Sequence, residues 1–295
     1  MHVKNSSNLP SLWLPKSYAD LNALRDDPSS RVVCTQPGVI VKYRGEFAEE
    51  VLALRFARSV LPNLVPKILH HPQPPRGRHS TTHRVWYICM EKCPGVPLEA
   101  VIDDMSVDEL DHIAEQLKTV LSTMSKLTSK SLGSVTGGPY RNFFYPSHLS
   151  PKYPFSSVGE FIDSYRQILL LFCTESFTES LLSQLPRNDT VQFTHGDLLP
   201  KNILVNGSEI TAIVDWATAG FYPAYWEYCR MYDPHFSSKG WDYVLDRIFH
   251  IPRRLTEIYA VKELLGVQER FFYVRILHLL TLCGILTVML VSLET

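Results

Sequence analysis

Two short apolar runs separated by an Asn-Gly turn constrain this chain more than any other part of its sequence. The runs are residues 203–205 and 210–214, both rich in β-branched side chains, with Asn-Gly at 206–207 between them. This arrangement is the strongest short-range signal for a β-hairpin. An antiparallel hairpin brings the residue before its first strand close to the residue after its second strand. The sequence therefore predicts that Asn202 and Asp215 emerge at the same end of the hairpin.

A third oxygen-bearing side chain, that of Asp197, precedes this hairpin. Pro200 keeps the intervening loop from becoming a helix, so we expect Asp197 to lie near both hairpin ends. Carboxylate and amide oxygens are ligands that Mg²⁺ prefers, with phosphate and water in its remaining positions. Asp215 and Asn202 suit such a site, whereas Asp197 suits a base that accepts a hydroxyl proton. The pattern favours Mg²⁺-dependent phosphoryl transfer, and the alternative is a set of ordinary turn formers.

The His-Gly-Asp segment at 195–197, with Asn202 and Asp215 after it, resembles a known catalytic loop. It is similar to the H-x-D-x-x-x-x-N loop and the D-F-G acid of the protein kinase-like superfamily. The H-G-D form resembles the aminoglycoside phosphotransferase and choline kinase branch. The resemblance implies that Asp197 is the catalytic base, that Asn202 and Asp215 bind Mg²⁺, and that His195 is a structural residue of the loop.

The N-terminal region contains a second predicted hairpin, residues 31–43, joined by a Pro-Gly turn. Lys42 ends its second strand and Glu50 opens a helical pattern, which resembles the nucleotide Lys strand and E-A-x-A-L-R-F helix of the same family. The resemblance implies that both residues serve the phosphates of ATP. A solvated surface pair is the alternative, and Glu49 replaces Glu50 if the helix is rotated. No G-x-G-x-x-G motif, the glycine-rich loop that would cover nucleotide phosphates, is present. The polar loop 26–30 occupies the position where such a loop would lie.

The segment Met90 to Gly95 follows a strongly apolar strand and resembles the M-E-Y-x-P-G linker of the family. The resemblance implies that backbone groups near Glu91 and Cys93 bind adenine. We place the lobe boundary here, with residues 1–92 as the N-terminal lobe and residues 93–295 as the C-terminal lobe. The predicted fold is α+β, a bilobal protein kinase-like fold with a small antiparallel-sheet N-terminal lobe and a mainly helical C-terminal lobe.

Apolar spacing and capping residues predict three helices in the second lobe, at 106–127, 157–172 and 175–185. Residues 132–155 read as a long loop that shapes the acceptor pocket. The aromatic segment around Glu227 resembles the G-x-P-x-x-W-E segment that follows the metal-binding Asp in the family. We expect its rings to pack in the larger lobe and Glu227 to support the catalytic loop.

Composition limits the remaining possibilities. Hydrophobic residues make up 45% of the chain and charged residues 20%, as in ordinary globular proteins, and the net charge of −1 argues against a nucleic-acid partner. The six cysteines lack zinc spacing, which favours free thiols and a cytoplasmic protein, as does an N-terminus without a signal peptide.

The His- and Pro-rich stretch 70–79 favours a surface loop over a metal site. The uncharged segment 276–293 favours a buried helix, with a membrane anchor as the alternative.

Together these patterns predict an enzyme that uses ATP and Mg²⁺ to phosphorylate a hydroxyl group of a small molecule. A non-catalytic nucleotide-binding protein is one alternative, favoured by the missing glycine loop and opposed by the complete acid and amide set. A protein kinase is the other alternative. Gly196 stands where its usual Arg would be, Trp216 and Ala217 replace the Phe and Gly of D-F-G, and no A-P-E segment is evident. No motif identifies the acceptor.

Overall fold

The computed structural model describes residues 14–15, 17–24, 31–43, 47–72, 86–142 and 144–266. Three segments singled out in the sequence therefore lie outside the described residues: the loop 26–30, most of the His- and Pro-rich stretch, and the apolar segment 276–293. Within the described part of the chain, no helix combines the length and the apolar character that crossing a membrane requires.

Four antiparallel strands form the sheet of the N-terminal region. They are β1 (Val32–Gln36), β2 (Val39–Tyr43), β3 (Ile68–His70) and β4 (Tyr87–Glu91), in the order β1-β2-β4-β3. Side chains alternate along β2, and Val39, Val41 and Tyr43 are buried in a small core beneath helix α1 (Tyr18–Asn22). Because successive side chains of a strand point to opposite faces, Lys42 lies on the other face of the sheet.

Helix α2 (Ala48–Val60) covers that other face. Its apolar residues Val51, Leu54 and Ala57 recur at helical spacing and are buried in the main core. Glu49 and Glu50 lie in its first turn, where the helix dipole favours negative charge. The helix therefore carries Glu50 on the side that faces the sheet and the C-terminal region.

The C-terminal region is mostly helical. Its α-helices are α3 (Val107–Ser125), α4 (Val158–Ser164), α5 (Arg166–Leu169), α6 (Glu175–Leu182), α7 (Tyr225–Met231) and α8 (Lys239–Ile248), with a further helix, α9, over 255–266. The predicted capping box of α3 is confirmed, because Ser106 and Glu109 exchange backbone and side-chain hydrogen bonds. The helix predicted over 157–172 is two short helices, with Tyr165 between them. Residues 132–155 have little regular structure, as expected.

The central hairpin is confirmed. Strands β7 (Ile203–Asn206) and β8 (Glu209–Ile213) pair antiparallel, and β5 (Val96–Pro97) joins β7 on its other side. The turn is shorter than predicted, because Asn206 pairs with Glu209 and only Gly207-Ser208 lies between the strands. A separate pair, β6 (Val191–Thr194) and β9 (Gly220–Pro223), leads into and out of the site.

The aromatic segment after the hairpin packs in the core, as expected. Tyr222 stacks on Tyr140 and on Trp226, with ring centroids 4.6 and 5.4 Å apart. Phe161 of α4 meets the ring of Trp226 edge-on at 5.2 Å. These contacts anchor α7 against α4 and against the long loop, and so fix the position of the helix behind the catalytic loop.

Gly95, just before β5, lies very close to the backbone of the hairpin. Its φ is +103°, and a Cβ atom placed there would lie 2.4 Å from the carbonyl oxygen of Val205 in β7. We expect Gly95→Ala to lower the free energy of unfolding by about 3 kcal/mol or more, from backbone strain and a backbone clash. Urea denaturation followed by circular dichroism measures this loss.

Gly38 provides the matched control, because its φ is +78° but a Cβ atom added there would have no other atom within 4 Å. Gly38→Ala carries the conformational strain alone, for which we expect about 1 kcal/mol. Equal losses in the two variants would contradict the close approach of Gly95 to β7.

Candidate active site

The catalytic loop leaves β6 at Thr194 and turns sharply at the next residues. Gly196 has a φ of +81°, and a Cβ atom there would lie 3.0 Å from the carbonyl oxygen of Thr218. Both observations favour glycine at this position, because larger residues rarely adopt that conformation. The H-G-D form of the motif therefore has a local structural cause.

His195 supports the loop from inside. It is fully buried, its Nε2 atom lies 3.0 Å from the carbonyl oxygen of Val214, and its Nδ1 atom accepts a hydrogen bond from the Asp197 N–H at 3.2 Å. Burial lowers the pKa of the imidazole, although the Asp197 carboxylate opposes this change. The contacts fit a neutral ring that donates through Nε2, which is a structural role.

Asp197 is held by three side chains. Its Oδ1 atom accepts a hydrogen bond from Nη2 of Arg230 at 2.7 Å. Its Oδ2 atom lies 2.9 Å from Nδ2 of Asn202 and 3.0 Å from Nζ of Lys201. The residue is 6% exposed, so its carboxylate is oriented by charged and amide donors in a nearly closed environment.

The structure brings Asn202 and Asp215 to the same end of the hairpin. The Val214 N–H donates to the carbonyl oxygen of Asn202 at 2.9 Å, which ties the residue before one strand to the end of the other. Asn202 uses its Nδ2 group for two bonds to Asp197, to the backbone oxygen at 2.8 Å and to Oδ2 at 2.9 Å. Its amide oxygen is the group that remains to bind a cation. The side chain of Asp215 is 46% exposed.

One carboxylate and one amide oxygen fit Mg²⁺, which commonly keeps water and substrate phosphates as its other ligands. Among the described residues, no group of three or more His, Cys, Asp or Glu side chains could hold a metal ion. The donor set fits a cation that arrives with a phosphorylated ligand.

Lys42 connects the two regions. Its Nζ atom lies 2.8 Å from Oε1 of Glu50 and 2.8 Å from Oδ1 of Asp215. Burial disfavours the charged ammonium, but Glu50 and Asp215 outweigh it and raise the pKa of Lys42. Desolvation by the surrounding protein atoms likewise opposes ionisation of Asp215, although its side chain is half-exposed, but Lys42 outweighs it and lowers the pKa of that carboxyl. Lys42 pairs with Glu50 and not with Glu49, so Glu50 is the acid that faces the strand.

Glu91 and Cys93 lie where β4 leaves the sheet. The carboxylate of Glu91 accepts a bond from the Lys67 N–H at 2.8 Å and lies 3.4 Å from Nη1 of Arg58. The Glu91 N–H donates to the carbonyl oxygen of Lys67 at 3.0 Å. An adenine contact at Glu91 would therefore use its carbonyl oxygen. Burial raises the pKa of the Cys93 thiol to about 11, which excludes a reactive thiolate at neutral pH.

Helix α7 supplies two residues that hold the loop from behind. Glu227 accepts hydrogen bonds from the backbone N–H groups of His195 at 2.5 Å and Gly196 at 3.1 Å. Burial raises the pKa of its carboxyl group to about 7. Its expected supporting position is confirmed by these contacts. Arg230, one turn further along α7, donates both to Asp197 and to the carbonyl oxygen of Gly196, the latter at 3.0 Å.

Two residues that contact Asp197, Arg230 and Lys201, were not predicted from the sequence. A signal for Arg230 was present, because a residue three positions after Glu227 lies on the same face of a helix. Lys201 is four residues after Asp197 and forms an i,i+4 pair with it across the Pro200 turn. Neither contact follows from the motif, since the motif specifies only the acid and the amide.

The geometry defines a class of site: two aspartates, an asparagine and a half-buried lysine meet where the catalytic-loop segment, the hairpin end and strand β2 come together. A family model described as the phosphotransferase enzyme family matches residues 15–261. The chain belongs to this family, which confirms the predicted enzyme class. The comparison with curated proteins found no matching sequence.

Solved structures with a similar fold include two aminoglycoside phosphotransferases. One is a thermostable mutant of APH(4)-Ia in ternary complex with AMP-PNP and hygromycin B, with 13% identity, a TM-score of 0.54, and 80% of each chain covered. Another is the GDP and kanamycin complex of APH(2")-IIia, with 14% identity, a TM-score of 0.54, and coverage of 83% of this chain and 82% of that one. At these identities the likeness shows the fold, and the predicted α+β kinase-like fold is confirmed.

Glu227 gives the site a pH-dependent stability. Its pKa is raised from an ordinary 4.5 to about 7, so the folded protein holds this proton more tightly than the unfolded chain does. The stability that the protonated Glu227 adds to the folded protein is fully present below about pH 4.5. This stability is lost as pH rises through about 7. Relative to Glu227→Gln, we expect the wild type to lose about 3 kcal/mol of unfolding free energy over that window. Urea denaturation across this range measures the difference.

Glu109→Gln is the control for this experiment. Hydrogen bonds from the Ser106 backbone and side chain lower the pKa of the Glu109 carboxyl, so its effect has the opposite sign and falls at lower pH. A constant difference between wild type and Glu227→Gln would show that Glu227 does not titrate in this range.

Proposed function

We propose that this protein transfers the γ-phosphoryl group of ATP, in the presence of Mg²⁺, to a hydroxyl group of a small molecule. One observation carries the proposal: separate parts of the chain converge on the same cleft through direct hydrogen bonds. Lys42 comes from β2, Asp197 and Asn202 from the catalytic loop, and Asp215 from the end of the hairpin, with Lys42–Asp215 at 2.8 Å and Asn202–Asp197 at 2.9 Å.

The nucleotide would bind to the N-terminal region and to the segment around Glu91 and Cys93 that follows its sheet. Lys42 would bind phosphate oxygens, with Glu50 fixing the ammonium at 2.8 Å. Backbone groups at Glu91 and Cys93 would bind adenine. The relatives described as complexes with AMP-PNP and with GDP support purine nucleotide binding here. We propose residues 1–92 and 93–295 as the two lobes, so that the Lys42–Asp215 bond crosses the cleft between them.

Asn202 and Asp215 would hold Mg²⁺, which supplies positive charge that offsets the charge of the transferring phosphate group. Asp197 would accept the proton of the acceptor hydroxyl as its oxygen attacks the γ-phosphorus. The bond from that phosphorus to the β,γ-bridging oxygen breaks, and ADP leaves with the bond electrons. The near-complete burial of Asp197 limits competition from bulk water.

The acceptor is proposed only as a class, a small molecule with a hydroxyl group. The relatives described with hygromycin B and kanamycin support a small-molecule acceptor. A cytoplasmic location accords with the five cysteines of the described region, all of them free thiols.

Asp197→Asn tests the central step. We expect the maximal rate of phosphoryl transfer to fall by about 10²- to 10⁴-fold, because Asn cannot accept the proton, while the affinity for ATP stays within about a factor of two. ADP release from Mg-ATP is measured with a panel of hydroxyl acceptors and with water alone. Asp246→Asn is the control, since this exposed aspartate pairs with Arg253 on the surface. Equal turnover in wild type and Asp197→Asn would favour a non-catalytic nucleotide-binding protein.

Asp215→Asn tests the cation site by binding as well as by rate. We expect the Mg²⁺ concentration needed for half-maximal nucleotide affinity to rise by about tenfold or more, because the carboxylate is the one anionic ligand in the proposed set. Isothermal titration calorimetry of ATP at a series of Mg²⁺ concentrations measures this shift. An unchanged Mg²⁺ dependence would remove Asp215 from the cation site and leave it only its contact with Lys42.

A further inference from the structure

The two oxygens of Asp197 are held in different ways. Oδ1 is bonded to the guanidinium of Arg230, whose side chain is 10% exposed. Oδ2 is bonded to Asn202 and to the ammonium of Lys201, whose side chain is 38% exposed. The first contact is between buried groups, while the second includes a flexible side chain that reaches the carboxylate from the surface.

Arg230 is itself fixed on every side. Its Nε atom donates to the carbonyl oxygen of Gly196 at 3.0 Å, and its Nη1 atom donates to Oδ2 of Asp233 at 3.0 Å. Its guanidinium lies over the ring of Phe144, 5.9 Å from the centroid. A planar guanidinium with all three nitrogens bonded has one orientation, and it imposes that orientation on Asp197.

Lys201 lacks these restraints. Its ammonium contacts Oδ2 of Asp197 at 3.0 Å and lies over the ring of Phe236, 5.0 Å from the centroid. A lysine has several rotamers of similar energy and makes single-point contacts, so it can leave Oδ2 at small cost.

We propose that Arg230 is a positioning residue for the reaction and that Lys201 contacts Oδ2 of Asp197 only until the acceptor replaces it. Arg230 holds Oδ1 of Asp197 and the adjacent Gly196 carbonyl, which directs Oδ2 toward the acceptor. The acceptor hydroxyl takes the place of Lys201 at Oδ2, and that oxygen receives the proton. This assignment rests on the proposed function, because it gives Asp197 the role of base.

Arg230→Lys separates geometry from charge, since Lys keeps the positive charge but not the fork that bonds Asp197 and Gly196 together. We expect the maximal rate to fall by about 10- to 100-fold, with the KM for ATP within about a factor of two, because a misplaced base slows chemistry and leaves the nucleotide site intact. Lys201→Met removes the replaceable contact and should lower the rate less than Arg230→Lys does.

The maximal rates and the KM for ATP are measured by steady-state kinetics with Mg-ATP, once with water alone and once with the panel of hydroxyl acceptors. Arg230→Ala is then assayed with millimolar guanidinium, which should restore part of the rate, and with equal urea, which should not. Arg247→Ala is the control, because this half-exposed arginine pairs with Asp111. Thermal unfolding establishes that each variant is folded.

A coupling measurement distinguishes positioning from support of the fold. In an Asp197→Asn background, Arg230→Lys should cause almost no further loss, because the two residues act as one unit. Full additivity of the two losses would overturn the inference, as would an Arg230→Lys rate within about twofold of wild type. An inactive wild-type protein would count against the proposed function instead, so the two failures are distinguishable.

Discussion

The bond of Lys42 to both Glu50 and Asp215 is the interaction on which the arrangement of the site depends. It joins strand β2 and helix α2, which are neighbours in sequence, to the end of a hairpin 173 residues further along the chain, at 2.8 Å in each case. Glu50 is only 5% exposed, so leaving its carboxylate without the ammonium would cost much more than a surface pair would. The three groups therefore hold one another in place.

The catalytic loop depends on a different kind of restraint, a buried polar network with helix α7 behind it. Glu227 accepts from the backbone of residues 195 and 196, while Arg230 donates to the carbonyl oxygen of Gly196 and to Asp197. A loop rich in unpaired backbone groups would be costly to bury. Glu227 pairs with N–H groups of this turn and Arg230 with one of its carbonyl oxygens, so both kinds of group are satisfied. Aromatic packing of Trp226 and Tyr222 keeps the helix from shifting. The orientation of the Asp197 carboxylate is thus determined by the core of the larger region.

What could be predicted from the sequence was local. The hairpin, the capping box of α3 and the strand that carries Lys42 all follow from patterns within about a dozen residues, where turn chemistry and side-chain periodicity decide the structure. Arg230 was not predicted because its partner lies 33 residues away and the contact depends on how α7 packs. The split of the predicted helix at Tyr165 is of the same kind: that ring is buried among aromatic residues, and tertiary packing outweighs helix propensity. A backbone contact to adenine leaves no side-chain pattern at all.

The charges around Asp197 bear on the chemistry of the molecule that approaches it. Relatives at 13 or 14% identity share the scaffold, and a scaffold does not determine the group that is phosphorylated. In this chain the carboxylate of Asp197 already contacts two cations, Arg230 at 2.7 Å and Lys201 at 3.0 Å. A cationic amino sugar would bring further positive charge close to Arg230 and Lys201, whereas a neutral hydroxyl compound would not. The charge around Asp197, and not the family name, is therefore the physical starting point for finding the acceptor.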